Sequence, residues 1–371
     1  MRNMTWRRFA LGALAPVGAL LVSAVICSII LLVTGHNPFQ AFATMGGAFS
    51  DISIIIGALN TTGSYYLAAV AVAIGFKMNL LNIGVDGQYR MAAMISAALA
   101  GAAWMTNLPG FLRVAITLVC AMLVGASWAG IAVWLKVTRG VSEVISTIML
   151  NAIATSIIAY LLTAKRLGVL NGNSIGTKVI TGPGMVPTLP VGNSIVPLYT
   201  LNIIAIVVGV LYALLLSRTV FGFSIKATGL NPSAAVASGI SAKKTAVITM
   251  LISGAVAGLV GMPELLNNAT QYSINFPSGL GLTGIAIALL GRNHPIGMVF
   301  AALLWAALDG SANALQGINV PSQIVVIMQG TIVLSVVIAY ELVRRYRLVL
   351  EQKAVAGALA TTPTPTQAVA A

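Results

Sequence analysis

Charge is what this sequence has least of. Only 7% of its 371 residues are charged, with seven acids set against twenty bases, where a soluble domain carries about 25%. So few charges cannot clothe a water-facing surface of that size, and the surplus apolar surface must face lipid. Cysteine and histidine are just as scarce, two of each, and both Cys27 and Cys120 lie inside apolar runs. Without a CxxC pair or a Cys/His cluster the chain has no disulfide framework and no zinc site of familiar spacing. It also lacks the GxxxxGK[ST] loop that cradles phosphates and the HExxH metal motif. No cofactor is therefore expected, and any energy drawn from ATP would have to be delivered by another subunit. Neither a paired-carboxylate nor a His/Asp constellation is evident, which argues against a membrane-embedded enzyme.

What the chain has in abundance is apolar length. Hydrophobic residues make up 58% of it and the mean hydropathy is +0.97. The net charge of +13 is spread as single or paired bases between apolar runs, never as a stripe along a polar helix. That pattern suits the orientation of membrane helices rather than nucleic-acid binding. Arg2, Arg7 and Arg8 precede an apolar stretch from Phe9 to Val33, longer than the roughly 7–15 residues of a signal-peptide core, so it is expected to be a retained span. Runs of about 20 apolar residues fall at roughly 11–33, 57–76, 88–106, 113–135, 144–163, 198–216, 245–263 and 322–343. The stretch 282–308 is interrupted by Gly291-Arg292-Asn293-His294-Pro295 and reads as two segments meeting at a turn.

The expectation is an all-α polytopic membrane protein of about ten transmembrane helices with both termini cytoplasmic. In that arrangement only Arg113, Lys165, Arg166 and Lys178 of the 20 basic residues lie on the far side, as the positive-inside rule asks. Residues 1–350 would form one transmembrane domain, and the Ala/Thr/Pro-rich stretch 351–371 a disordered cytoplasmic tail. Two connections are long. Residues 164–197, rich in Gly, Pro, Asn and Thr, would lie outside. Residues 217–244 would lie inside and hold a short helix that begins at Asn231-Pro232-Ser233 and is punctuated by Gly229 and Gly239. A soluble partner could dock there.

Polar groups inside apolar spans are costly and so are functional candidates. Glu143 opens the fifth span, where a helix N-terminus favours an acid; Asn151 lies two turns deeper and its amide needs a partner in the bundle. The segment Gly75–Gln88, with Asn79, Asn82, Asp86 and Gln88, is either a turn or a re-entrant stretch lining a solute path. Gly254 and Gly258 form a GxxxG pair, and Ala121, Gly125 and Ala129 a second ridge of small residues, both suited to close helix packing.

Four segments, in order, resemble one family. They are Leu81–Gln88, Ser142–Asn151, Gly229–Ile240 and Gly281–Pro295. They look like the permeases of bacterial ABC importers for ribose, branched-chain amino acids and nucleosides; Glu-Val-Ile-Ser-Thr and Leu-Leu-Gly-Arg-Asn-His-Pro are most similar to the simple-sugar/nucleoside branch. The resemblance spans about residues 55–345. It implies a multi-pass protein of the bacterial inner membrane that carries nucleosides or, as an alternative, ribose-like sugars. It also implies ABC ATPase subunits on the cytoplasmic face, a homologous second permease subunit or a second copy of the chain, and an extracytoplasmic solute-binding protein. The loop bearing Gly229, Asn231, Pro232, Ala234, Ala235 and Gly239 sits where such permeases couple to the ATPase. For the translocation path the candidates are Asn82, Gln88, Asn151 and Asn293, because uncharged amides bind hydroxyls and base edges without burying a charge. Phe76 and Tyr89 are candidate stacking surfaces. A stand-alone secondary transporter is the other reading, but such carriers place ionisable groups mid-span. Here Asp51, Asp86, Glu143, Glu264, Asp309 and Glu341 fall at or near expected span ends.

Overall fold

The computed structural model describes residues 18, 20–171 and 174–360. Helices dominate because the apolar runs carry few interior breakers and their ends carry recognisable caps. Helix α1 is Leu20–Val33 and α2 is Pro38–Ala48, bent from α1 by 116° at Thr34–Asn37, where Gly35 has a left-handed φ of 81°. Helix α3, Ile52–Phe76, starts where the Asp51 carboxylate accepts the Ser53 amide at 2.7 Å, a side-chain N-cap. Then follow α4 (Val85–Ala100), α5 (Gly110–Arg139), α6 (Glu143–Leu161), α7 (Ile203–Arg218), α8 (Val220–Leu230), α9 (Pro232–Ala237), α10 (Ala242–Leu259), α11 (Leu280–Leu290), α12 (Pro295–Gln316) and α13 (Gln323–Ala360).

Among the described residues, seven helices are long and apolar enough to cross a membrane, and the bent α1–α2 pair is an eighth candidate. The protein is thus a polytopic helical membrane protein, and among the described residues two of the ten expected segments are shorter than a full span. The segment expected at 88–106 is the 16-residue α4, and the first half of 282–308 is the 11-residue α11. Both fall short of the ~20 residues a bilayer crossing takes. The break at 291–294 is present: Arg292 and Asn293 both adopt left-handed φ angles of 56° and 52°. The loop 164–197 is not wholly irregular. Val169–Asn171 pairs antiparallel with Ser174–Gly176, and Thr188–Leu189 with Leu198–Tyr199. At the other end α13 continues to Ala360, ten residues into the stretch expected to be a disordered tail. Glu351, Gln352 and the alanines that follow are good helix formers, and no proline intervenes before Pro363. The rest of that stretch, 361–371, lies outside the described residues.

The chain sorts into two compact units, residues 44–314 and residues 1–43 joined with 315–371. In the second unit α1 lies along α13, with the Ser23 hydroxyl donating to the Thr331 carbonyl at 3.4 Å. In the first, α3 and α10 are central, each 67% buried across its most apolar window, whereas α5 and α7 are 22% buried and present Leu123, Trp134, Ile206 and Leu211 outward. Helices α5 and α10 pack through their small-residue ridges. A Cβ on Gly258 would stand 2.0 Å from the Ala121 carbonyl oxygen, and one on Gly125 would stand 2.2 Å from the Gly254 oxygen. Backbones this close exclude any side chain.

Candidate functional site

Three of the four amides singled out from the sequence gather around the connection between α3 and α4. Asn82 is fully buried. Its Nδ2 donates to Gln88 Oε1 at 3.0 Å and to Ser253 Oγ at 2.8 Å, while its Oδ1 accepts from Gln88 Nε2 at 2.9 Å and the Gly84 amide at 3.2 Å. The Ser253 hydroxyl in turn donates to the Ala71 carbonyl at 2.6 Å. Asn151 of α6 reaches in from the side, accepting the Gly87 amide at 2.8 Å and donating to the Ile83 carbonyl at 3.0 Å. A polar, irregular segment inside apolar helices must satisfy its backbone locally, and these amides do so. Asn293 lies elsewhere, in the α11–α12 turn. Its carbonyl accepts from the Tyr212 hydroxyl at 2.9 Å, and its buried Oδ1 has no partner among the described residues. Tyr89 is fully buried and donates to the Pro277 carbonyl at 2.8 Å, so it is not an open stacking surface.

The short helix foreseen in loop 217–244 is α9. Asn231 caps it, its Oδ1 accepting the Ala234 amide at 3.1 Å, with Pro232 at the first helical position. It ends in a Schellman turn: Gly239 N donates to Val236 O, and Ile240 N to Ala235 O, both at 3.0 Å, with Gly239 at φ 83°. Ala235 is buried, whereas Asn231, Pro232, Ser233 and Ala234 are exposed, and so are Leu230 at 88% and Val236 at 58%. Gly229 faces inward, where a Cβ would stand 2.4 Å from the Lys77 carbonyl oxygen. Helix α8 is rooted in a cluster of Met78, Leu80, Val133, Ile225, Ala246 and Met250. Burial, then the neighbouring charges of Lys226 and Arg292, push the Lys77 ammonium below its usual range, so three cations converge at this end of the unit.

At the opposite end, beneath the loop that carries the β pairs, is a partly enclosed cavity of ≈ 200 Å³. Asn60, Thr61 and Ser64 of α3 line one side, Tyr199 and Val196 the loop side, Gly261 and Glu264 the end of α10, and Phe276, Pro277 and Leu280 the floor. The α10 axis continues through Pro263 into a π turn over Leu265–Ala269, an irregularity frequent at functional sites. Half-buried Glu264 accepts from Asn268 Nδ2 at 2.7 Å and from the Tyr199 hydroxyl at 3.3 Å. Asn60 holds the loop, donating to the Pro197 carbonyl and accepting the Tyr199 amide, both at 2.9 Å. The floor is fixed by the first turn of α4. Asp86 Oδ1 accepts the amides of Gly279 and Gly281, at 2.8 and 3.5 Å, placing a carboxylate at the N-terminus of α11, where it complements the helix dipole. A Cβ on Gly281 would stand 2.4 Å from the Asp86 nitrogen, so only glycine permits the approach.

The sequence reading did not single out Asn60, Ser64, Tyr199 or Phe276, and it placed Glu264 only at a span end. The available signal was scarcity: with seven acids in the chain, one followed at once by Leu265-Leu266-Asn267-Asn268 in an otherwise apolar helix was conspicuous.

The profile of the family described as branched-chain amino acid transport system, permease component, matches residues 54–337. The nucleoside ABC transporter permease protein NupB of Lactococcus lactis is 33% identical, the match covering 88% of this chain and 91% of that protein. The guanosine ABC transporter permease protein NupP of Bacillus subtilis is 31% identical over 88% and 93%. The glucose ABC transporter permease protein TsgB13 of Haloferax volcanii is 28% identical over 90% and 89%. A match running from α3 into α13, and so through amide cluster, α9 and cavity alike, decides the matter: the chain belongs to the family of branched-chain amino acid transport system permeases.

Proposed function

We propose that this protein is the membrane-spanning permease of an ATP-driven importer for nucleosides, seated in a bacterial inner membrane. The observation that carries the reading is the similarity, over nearly the full length of both partners, to proteins named as nucleoside and guanosine permeases. The sequence holds no GxxxxGK[ST] loop, which supports placing ATP hydrolysis on separate subunits. Those ATPase subunits dock on α8–α9, where Asn231, Pro232 and Ala234 are exposed beside Leu230 and Val236; Gly229 and Ala235 shape that surface from within, and exposed Gly239 ends the helix. A second, homologous permease chain completes the path, and an extracytoplasmic binding protein delivers solute to the end bearing the β pairs.

The path residues divide by hydrogen bonding. Asn82, Gln88 and Asn151 spend their amides on one another and on the backbone of 83–87, so they shape the path rather than contact the solute. Asn293 keeps a buried acceptor without a partner among the described residues, so of the four it is the amide whose oxygen is uncommitted. Contact links the docking surface to the cavity: α8 touches Lys77 and Met78, Asn82 and Gln88 join that connection to α4, and Asp86 with Tyr89 holds the cavity floor. A two-state movement of α8–α9 driven by the ATPase would reach the solute through this series.

The test is uptake of labelled uridine and guanosine in cells with and without the gene, other nucleoside routes removed, in the presence of excess free ribose. Loss of uptake on deletion, unaffected by ribose in the parent, is expected. Unchanged nucleoside uptake with loss of sugar uptake would overturn the reading in favour of a sugar permease, the alternative raised by the glucose relative.

A further inference from the structure

We propose that the cavity between α3, the end of α10 and the 276–280 floor is a solute-binding stop for the pentose of a ribonucleoside, with the Glu264 carboxylate accepting hydrogen bonds from its 2′- and 3′-hydroxyls. The inference rests on the nucleoside reading above. Small-molecule sites usually measure ~300–1,000 Å³, and this one, at ≈ 200 Å³, takes a sugar ring more readily than a whole nucleoside. A carboxylate offers about four acceptor directions. Glu264 uses two, towards Asn268 and Tyr199, and no Lys, Arg or His pairs with it among the described residues. Two adjacent hydroxyls can fill what remains with charge-assisted bonds. Ser64, buried and lining the same wall, adds a hydroxyl, and Phe276 an apolar ring against which the C–H side of the pentose can lie. Asn60 and Asn268 position the walls.

The geometry of Phe276 depends on a neighbour. A Cβ on Gly261 would come within 3.1 Å of the Phe276 ring, so the glycine lets the ring settle against the helix end. Tyr272 braces it from behind, the two ring centroids 4.8 Å apart. The floor is thus preorganised before solute arrives.

The experiment compares uptake of labelled uridine and 2′,3′-dideoxyuridine by cells carrying the complete importer, with wild-type chain, Glu264→Gln or Glu264→Asp, each normalised to the amount of permease in the membrane. The binding protein is the same throughout, so a changed preference belongs to the permease. A site built to hydrogen-bond a hydroxyl discriminates strongly against its absence. Glu264→Gln should therefore lower uridine uptake at least about tenfold while leaving dideoxyuridine uptake unchanged, and Glu264→Asp should restore part of the preference. An unchanged ratio, or an equal fall for both solutes, would overturn the proposal, the second outcome marking a purely structural carboxylate. A variant whose guanosine-to-inosine ratio shifts instead would place the base, not the sugar, on Glu264 and likewise overturn it. If the wild type imports no nucleoside at all, the reading of the protein as a nucleoside permease fails first; if it imports uridine with a preference blind to Glu264, only the present assignment fails.

Discussion

At the scale of single residues, buried amides divide by whether their hydrogen bonds are already spent. Asn82 and Gln88 exchange both of theirs in a reciprocal pair, so removing one partner strands the other in a dry environment. Such orphaning costs about 1–3 kcal/mol. Asn82→Ala should therefore lower the midpoint of thermal unfolding in detergent and reduce uptake in proportion to the folded protein remaining, with the KM for solute unchanged. A raised KM at normal stability would return Asn82 to the solute path. The sequence made these amides visible because polar groups are conspicuous among apolar ones, but it could not say whether they face the solute or each other. That distinction lies in a contact across 171 positions, from Asn82 to Ser253. Glu264 was harder still: Asn268 lies one turn on, but Tyr199 meets it only when the loop before α7 folds over the end of α10.

At the scale of elements, local chemistry was legible wherever the rule is local. Asn231, Pro232 and Gly239 announced start and stop of α9, and the capping bonds are where those residues put them. The GxxxG of α10 and the small ridge of α5 do face each other. Lengths were less legible, because α4 and α11 are apolar enough to resemble full spans yet end early at glycines that serve the neighbouring turns, Gly101 and Gly291. The two adjacent alanines of α9 offer a sharp comparison. Ala234 is exposed and Ala235 buried, so Ala234→Glu should leave the protein abundant in the membrane while ATP hydrolysis by the assembled complex no longer drives uptake. Ala235→Glu should instead deplete the protein, since a charge buried without a partner costs several kcal/mol. Coupling intact in Ala234→Glu would remove α9 from the docking surface.

At the scale of the whole molecule, the distribution of bases predicts sidedness. A thiol-reactive, membrane-impermeant label should modify a single cysteine introduced at Ile195, which is 91% exposed, in intact cells. It should modify one at Ala234 only after the membrane is opened; the reverse pattern would invert the topology. Native background is low on structural grounds, for Cys27 is buried and Cys120 half-buried. The length of α13 carries a further consequence. From Gln323 to the first acid, Glu341, the helix rises about 28 Å, close to the ~30 Å of a hydrocarbon core. There Glu341 binds Arg344 and Arg345 at 2.8 and 2.9 Å, an ion cluster suited to the water boundary. The helix nonetheless runs on to Ala360, about as far again. Its second half therefore continues as helix past that ion cluster, beyond the length a hydrocarbon core takes up.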